Sequence, residues 1–240
     1  MKPSAAYPKT VAAVTVASGL LALLCLVLLG VALADSPEAL YDPVKIIDYP
    51  AINWSLLRGA MLADLAGYYL LLLPLIYYLR PYLRAQTPWA DVITFCGTAY
   101  AWGGAIGAAI FAEVGSRLYA DYYAAAPAQQ AAVRAAYQAT TYLVYNGFWN
   151  LTGSLLAGVW WFLTGYFLTR FHQATARTAM VLGASTALSV LGKGLGLGWL
   201  AEAGLNVYLL LAPAWALWTG VVVWRKARQT DLLPEAYRVA

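Results

Sequence analysis

The chain predicts an all-α fold, a polytopic membrane helix bundle of about six transmembrane helices, and three observations lead there. Apolar residues make up 62% of its 240 positions and charged residues 11%, against about 25% charged in a soluble domain. The apolar residues are gathered into runs long enough to cross a bilayer. The lysines and arginines between those runs fall mostly on alternate connections. A chain this apolar would have to hide nearly all of itself from water, and a lipid solvent removes that requirement. At this length one unit is the default, so a single transmembrane domain over residues 1–240 is expected.

A spanning helix needs about 20 mostly apolar residues, because each adds about 1.5 Å across a core about 30 Å thick. In lipid, backbone groups must bond within their own segment, so each run is predicted as a helix. The first run covers residues 11–34. Lys2 and Lys9 before it, and Ala32-Leu33-Ala34 after it, also resemble a secretory signal. The run exceeds the apolar region of about 7–15 residues that a signal uses, so a retained helix is expected; cleavage would leave five spans. The second run covers 57–79 and the third 92–111. The fourth is long, 140–168. The fifth covers 178–197, and the sixth covers 205–224, closed by Arg225, Lys226 and Arg228. A short tail follows.

The outer loop over roughly 114–139 is rich in alanine and tyrosine. Alanine is the best helix former and proline suits a first helical turn. The pattern predicts a helical extension of the third span, a break near Pro127, and a second helix feeding the fourth span. The tyrosines suit the headgroup layer.

Charge sets the orientation. Lys2, Lys9, Arg80, Arg84, Arg170, Arg177, Arg225, Lys226, Arg228 and Arg238 fall on one side, ten of the 15 basic residues. Lys45, Arg58, Arg117, Arg134 and Lys193 fall on the other side or its edge, where Asp35, Glu38, Asp42 and Asp48 make the first loop acidic. The richer side is expected to be the cytoplasm, with both termini on it. The net charge of +4 therefore reads as topology, and no nucleic-acid partner is expected.

Cys25, Cys96 and the single His172 cannot build a zinc cluster or a haem-ligating pair, so neither a metal nor a cofactor is expected. Cys25 and Cys96 lie at different depths, which argues against a disulfide. The run Gly192-Lys193-Gly194-Leu195-Gly196-Leu197-Gly198 lacks a preceding strand and a Gly-Lys-Ser/Thr, so it is read as a break in the fifth helix. Gly103 with Gly107, and Gly153 with Ala157, have helix-packing spacing. Trp160-Trp161 has two readings, core packing or the wall of a lipid cavity. Asn53-Trp54-Ser55 matches a glycosylation acceptor.

Polar groups in hydrocarbon cost about 2.5–3.5 kcal/mol each when charged, so each needs a reason. Asp64 lies about two turns into the second helix. Arg58 begins that helix on nearly the opposite face, so the two do not pair. Asn146 and Asn150, with Ser154, form one stripe on the fourth helix. Lys193 lies near the outer end of the fifth. Glu202 and Asn206 share a face at the start of the sixth. Glu113 and Arg117, four apart, are placed to pair on their own helix. By alternating direction all these groups fall in the outer half. One reading is a polar pocket open to the outside, with Asp64, Asn150, Lys193 and Glu202 near its wall. The other is structural: Asp64 pairs with Lys193, the asparagines bond across helices for about 0.6–2 kcal/mol each, and Lys193 and Glu202 snorkel.

Leu57-Arg58-Gly59 followed by Ala63-Asp64-Leu65, then a leucine-rich stretch ending in Tyr77-Tyr78-Leu79-Arg80, resembles a bacterial membrane family called domain of unknown function 4386. Gly147-Phe148, Trp160, Gly165-Tyr166 and the basic end of the sixth helix extend the resemblance over most of the chain. It implies six helices and a prokaryotic inner (plasma) membrane, marks Arg58 and Asp64 as positions of interest, and implies no activity.

Candidate binding residues are therefore Arg58, Asp64, Asn146, Asn150, Lys193, Glu202 and Asn206. The expected function is non-enzymatic: binding a small molecule or lipid in an outer-half pocket, or serving as an accessory subunit of a membrane complex. Membrane lipids are the expected partners, with a protein partner or a second copy of the chain beside them. One alternative is a membrane enzyme on a lipid or isoprenoid with Asp64 as its acid. The other is a small transporter.

Overall fold

The computed structural model describes residues 6–35 and 37–232, with side chains up to residue 228. Lys2 and Arg238, counted above toward the basic side, lie outside the described residues, as does most of the tail after Arg228. The described chain is helical, without a strand. Its α-helices are α1 (Ala6–Ala32), α2 (Trp54–Asp64), α3 (Leu73–Arg84), α4 (Ala90–Ile110), α5 (Ser116–Ala124), α6 (Pro127–Thr141), α7 (Ser154–Phe167), α8 (Gln173–Gly194) and α9 (Gly198–Leu232). Three π-helical segments, Leu65–Tyr69, Phe111–Gly115 and Tyr142–Gly153, join α2 to α3, α4 to α5 and α6 to α7.

Together these make six rods. Five are long and apolar enough to cross a membrane by length and composition: Ala6–Ala32, Trp54–Arg84, Ala90–Ala124, Gln173–Gly194 and Gly198–Arg228. The expected fourth span is helical too, as Tyr142–Gly153 followed by α7. It is not one of the five, because Asn146, Asn150, Trp149 and Trp160-Trp161 make it less apolar. Each rod packs against the next in sequence, and α1 packs against α9, so the rods close into a ring. Side chains on the outward faces are oily: Leu20, Val27, Phe95, Trp102 and Leu210 are all exposed.

The breaks in the rods have identifiable causes. Pro74 has no N–H for the carbonyl four residues back, and the chain tightens into a 3₁₀ turn at Leu70–Leu72. A π turn displaces carbonyls from their usual donors, and in an apolar setting those carbonyls need new ones. Here side chains on other rods supply them. Ser18 donates to the Gly67 carbonyl at 2.5 Å and the Tyr100 hydroxyl to the Tyr68 carbonyl at 3.1 Å. Pro213 likewise frees the Leu209 carbonyl in α9, and the Tyr68 hydroxyl donates to it at 2.6 Å. Gly67 is required where it sits, since a Cβ would lie 2.4 Å from the Ala22 nitrogen of α1.

One expected ion pair is replaced. Glu113 pairs with Arg58 of α2, at 2.5 Å, rather than with Arg117. The π turn at Phe111–Gly115 passes between Glu113 and Arg117 and shifts the four-residue register on which that pair depended.

The connection over residues 37–48 consists of two short 3₁₀ helices. It lies against the hairpin of α5 and α6, which breaks at residues 125–126. Tyr119, Tyr123 and Tyr137 donate to the carbonyls of Tyr49, Ile47 and Pro43, and Arg134 pairs with Asp48 at 2.5 Å. Many of the loop tyrosines thus act as clamps on that connection. Asn53 caps α2 by accepting from the Leu56 N–H, a local structural role for the residue of the glycosylation pattern.

Candidate functional site

At the end of the ring that carries residues 37–48, the rods enclose a cavity of about 330 Å³. Every rod contributes to its wall, and so does the first connection through Leu40, Tyr41 and Pro43. The expected binding residues separate into two groups. Asp64, Asn146, Asn150, Lys193 and Glu202 all line this cavity, with Ser154 and Ser189. Arg58 and Asn206 do not. Arg58 is held by Glu113 on a half-exposed face. Asn206 accepts a hydrogen bond from Tyr41 at 3.1 Å, which ties the first connection to α9 beside the mouth.

Local structure explains the convergence. Asp64 ends α2 and immediately precedes a π segment. Asn146 and Asn150 stand within the long π segment, and Ser154 donates to the Trp149 carbonyl at 3.0 Å. Gly153 is necessary here, because a Cβ would meet the Phe148 carbonyl oxygen at 2.6 Å. π turns recur at functional sites. Lys193 lies in the last turn of α8; the chain then reverses through Gly196, whose φ of 69° suits glycine, and α9 begins at Gly198. The glycine run therefore ends the fifth helix and sets Lys193 and Glu202 on either side of one reversal. α7 and α8 pack closely, whereas the π segment above α7 barely touches α8. The two rods part where the polar residues lie.

Asp64 is the outstanding group. It is 9% exposed. It makes no hydrogen bond or ion pair with any described residue, and the structural expectation of an Asp64–Lys193 pair is not met. Its neighbours are aromatic or soft. It shares the cavity wall with Cys25, Tyr68, Tyr69, Tyr100 and Tyr145. Those rings, with Trp149 and Tyr208, form much of the wall. Tyr69 and Tyr100 meet edge to face at 5.4 Å, as do Tyr145 and Trp149 at 4.6 Å, while Tyr68 and Tyr208 lie tilted at 5.8 Å. The hydroxyls of Tyr100 and Tyr208 bond to each other, and Trp149 donates to the Gly104 carbonyl at 3.1 Å. At Gly104 a Cβ would fall 2.0 Å from the Tyr69 ring, so glycine there makes room for an aromatic wall.

Sequence reasoning missed this ring set, having considered only the tyrosines of the 114–139 loop, which it placed in the headgroup layer. The available signal was position: Tyr68 and Tyr69 follow Asp64 by about one turn, and Tyr145 adjoins Asn146. Cys25 was also missed as a wall residue. Trp160 and Trp161 do not line the cavity. They are almost fully buried, and with Trp215 they form a tight cluster, Trp160–Trp161 and Trp161–Trp215 both at 4.3 Å. Tyr100 stacks on Trp160 at 6.2 Å, so this cluster forms a floor. Among the described residues no three His, Cys, Asp or Glu side chains gather to hold a metal ion.

Comparison of the chain with protein-family models, curated proteins and solved structures found no match.

Proposed function

We propose that this is a six-span protein of a bacterial inner membrane, with cytoplasmic termini, that binds a small amphiphile or lipid in the cavity beneath residues 37–48. The observation that carries the reading is Asp64: an acid nine-tenths buried, without a described partner, on the wall of a cavity to which all six rods contribute. Such a group is costly in a structural core and is a functional-site candidate by default. The cavity volume lies at the lower end of ligand pockets, about 300–1,000 Å³. Its mixed wall, apolar through Leu26, Leu29, Leu205 and Leu209 and polar through Asp64, Asn146 and Asn150, suits a molecule with a head and a tail. The likeness of Leu57–Asp64 to domain of unknown function 4386 agrees with this reading and is part of the proposal.

Native mass spectrometry of the full chain taken from membranes tests it. A one-to-one adduct that survives mild activation, and is lost when Leu209→Trp fills the cavity, is the expected result. A bare chain under all mild conditions refutes the reading. Reporter fusions at residue 50 and residue 87 test the orientation, the first falling outside and the second inside.

A second reading has a specific observation behind it. Asp64 and Glu202 line the same cavity, so the site holds the two acids that a membrane enzyme on a lipid or isoprenoid would use, with Asp64 as proton donor. Recovery of a chemically altered amphiphile after incubation would favour it over simple binding. For a transporter, the tryptophan floor stands across the path.

A further inference from the structure

Resting on the reading of the cavity as a ligand site, we propose that the ligand is an amphiphile with an organic ammonium head, carried between Asp64 and the tyrosine wall. Three independent features point to a cation. Asp64 is a buried carboxylate without a described cationic partner, so a bound ammonium supplies the charge it lacks. The wall around it is built from the rings of Tyr69, Tyr100, Tyr145, Tyr208 and Trp149. Aromatic faces attract cations, and cages of such rings recognise alkylated ammonium groups. The hydroxyls of Tyr100 and Tyr208 are already bonded to each other, and the Trp149 N–H is bonded to Gly104. Those three donors are therefore engaged within the protein rather than free to meet an anionic head.

The third feature is the field at the mouth. Among charged residues of the wall there are two acids, Asp64 and Glu202, and one base, Lys193. On the same end Lys45, Arg58 and Arg134 are tied to Asp42, Glu113 and Asp48. Asp35, Glu38 and Asp121 remain outside those pairs, against one base, Arg117. A cleft lined by excess negative charge concentrates cations. An apolar tail fits the leucine side of the wall.

The experiment compares heads on one tail. The full-length protein, in a nonionic detergent without ammonium groups, is titrated with octyltrimethylammonium, octanol and octanoate, and one-to-one binding is read by native mass spectrometry and calorimetry. Octyltrimethylammonium should bind at least about tenfold more tightly than octanol, with octanoate weakest. Asp64→Asn should bring octyltrimethylammonium within about twofold of octanol. Tyr145→Leu should weaken the ammonium several-fold more than it weakens octanol. Equal binding of the three heads, or preference for octanoate, overturns the cation assignment and leaves the ligand cavity standing. Binding of none of them sinks the cavity reading as well. Full discrimination retained in both variants also overturns the assignment. The head series on the unaltered protein decides the matter even if either variant fails to fold.

Discussion

The two ends of the ring are built from the same six rods and solve opposite problems. Toward the connections at residues 85–89 and 168–172 the rods close on one another. Gly165 and Gly183 bring α7 and α8 together, their would-be Cβ atoms lying 2.4 Å from the Ala176 carbonyl oxygen and 2.5 Å from the Phe162 nitrogen. Trp160, Trp161 and Trp215 fill the space left in the middle. At the other end, π turns interrupt the rods, tyrosines and polar side chains line the space, and a cavity remains. Close packing drives helix association in an apolar solvent. One end can therefore supply cohesion while the other keeps an acid without a partner among the described residues.

The comparison can be broken at the closed end first. Gly183→Leu should have the largest effect, preventing α7 and α8 from meeting; overpacking typically costs about 1–3 kcal/mol, and more where, as here, the facing atoms are backbone. Gly198→Ala, with nothing within 4 Å of the new Cβ, should shift stability by less than about 0.5 kcal/mol. Chemical unfolding in detergent measures both, and equal losses would undo the contrast between the ends. Trp161→Ala should cost about 3–5 kcal/mol. Trp161→Phe should cost far less, because the Trp161 N–H has no partner among the described residues and the ring is held for its volume.

At the open end the expected effects on stability are small. Asp64→Asn should change it by no more than about 1 kcal/mol, since no ion pair is broken; a loss of 3 kcal/mol or more would reveal a partner and count against the ligand site. Arg58→Gln should cost no more than about 1 kcal/mol, as the pair with Glu113 is half exposed. The smallest effect is a pH dependence in the first connection. The hydrogen bond from Tyr49 holds the Glu38 carboxyl below its ordinary value. A depressed acid stabilises the fold above its unfolded pKa, about 4.3, and that contribution fades as pH falls through the lower folded value. Protection factors at residues 38–49, corrected for the intrinsic pH dependence of amide exchange, should accordingly be flat above about pH 5 and fall only in more acid solution; a fall near neutral pH would exclude Glu38 as its cause.

Much of the open end was legible residue by residue, but not as an arrangement. Asp64, Asn146, Asn150, Lys193 and Glu202 stand out because each is polar inside an oily run. The tyrosines did not stand out, because tyrosine is common at membrane interfaces and its ring carries no mark of the face it will occupy. The Arg58–Glu113 pair was hidden for another reason. A four-residue rule assumes an unbroken α-helix, and the π turn at Phe111–Gly115 is imposed by packing between rods.

By itself the sequence determined that the chain forms long apolar helices and where most of them turn. Those outcomes depend on local quantities: run length, proline and glycine positions, and hydrogen bonds that a segment makes within itself. Tertiary structure alone decided that the ring closes through α1 and α9, that Tyr68 and Tyr100 satisfy carbonyls freed on neighbouring rods, and that Asp64 faces a cavity rather than Lys193. Each of these depends on side chains from distant segments meeting in three dimensions, where a shift of one π turn changes which face a residue presents.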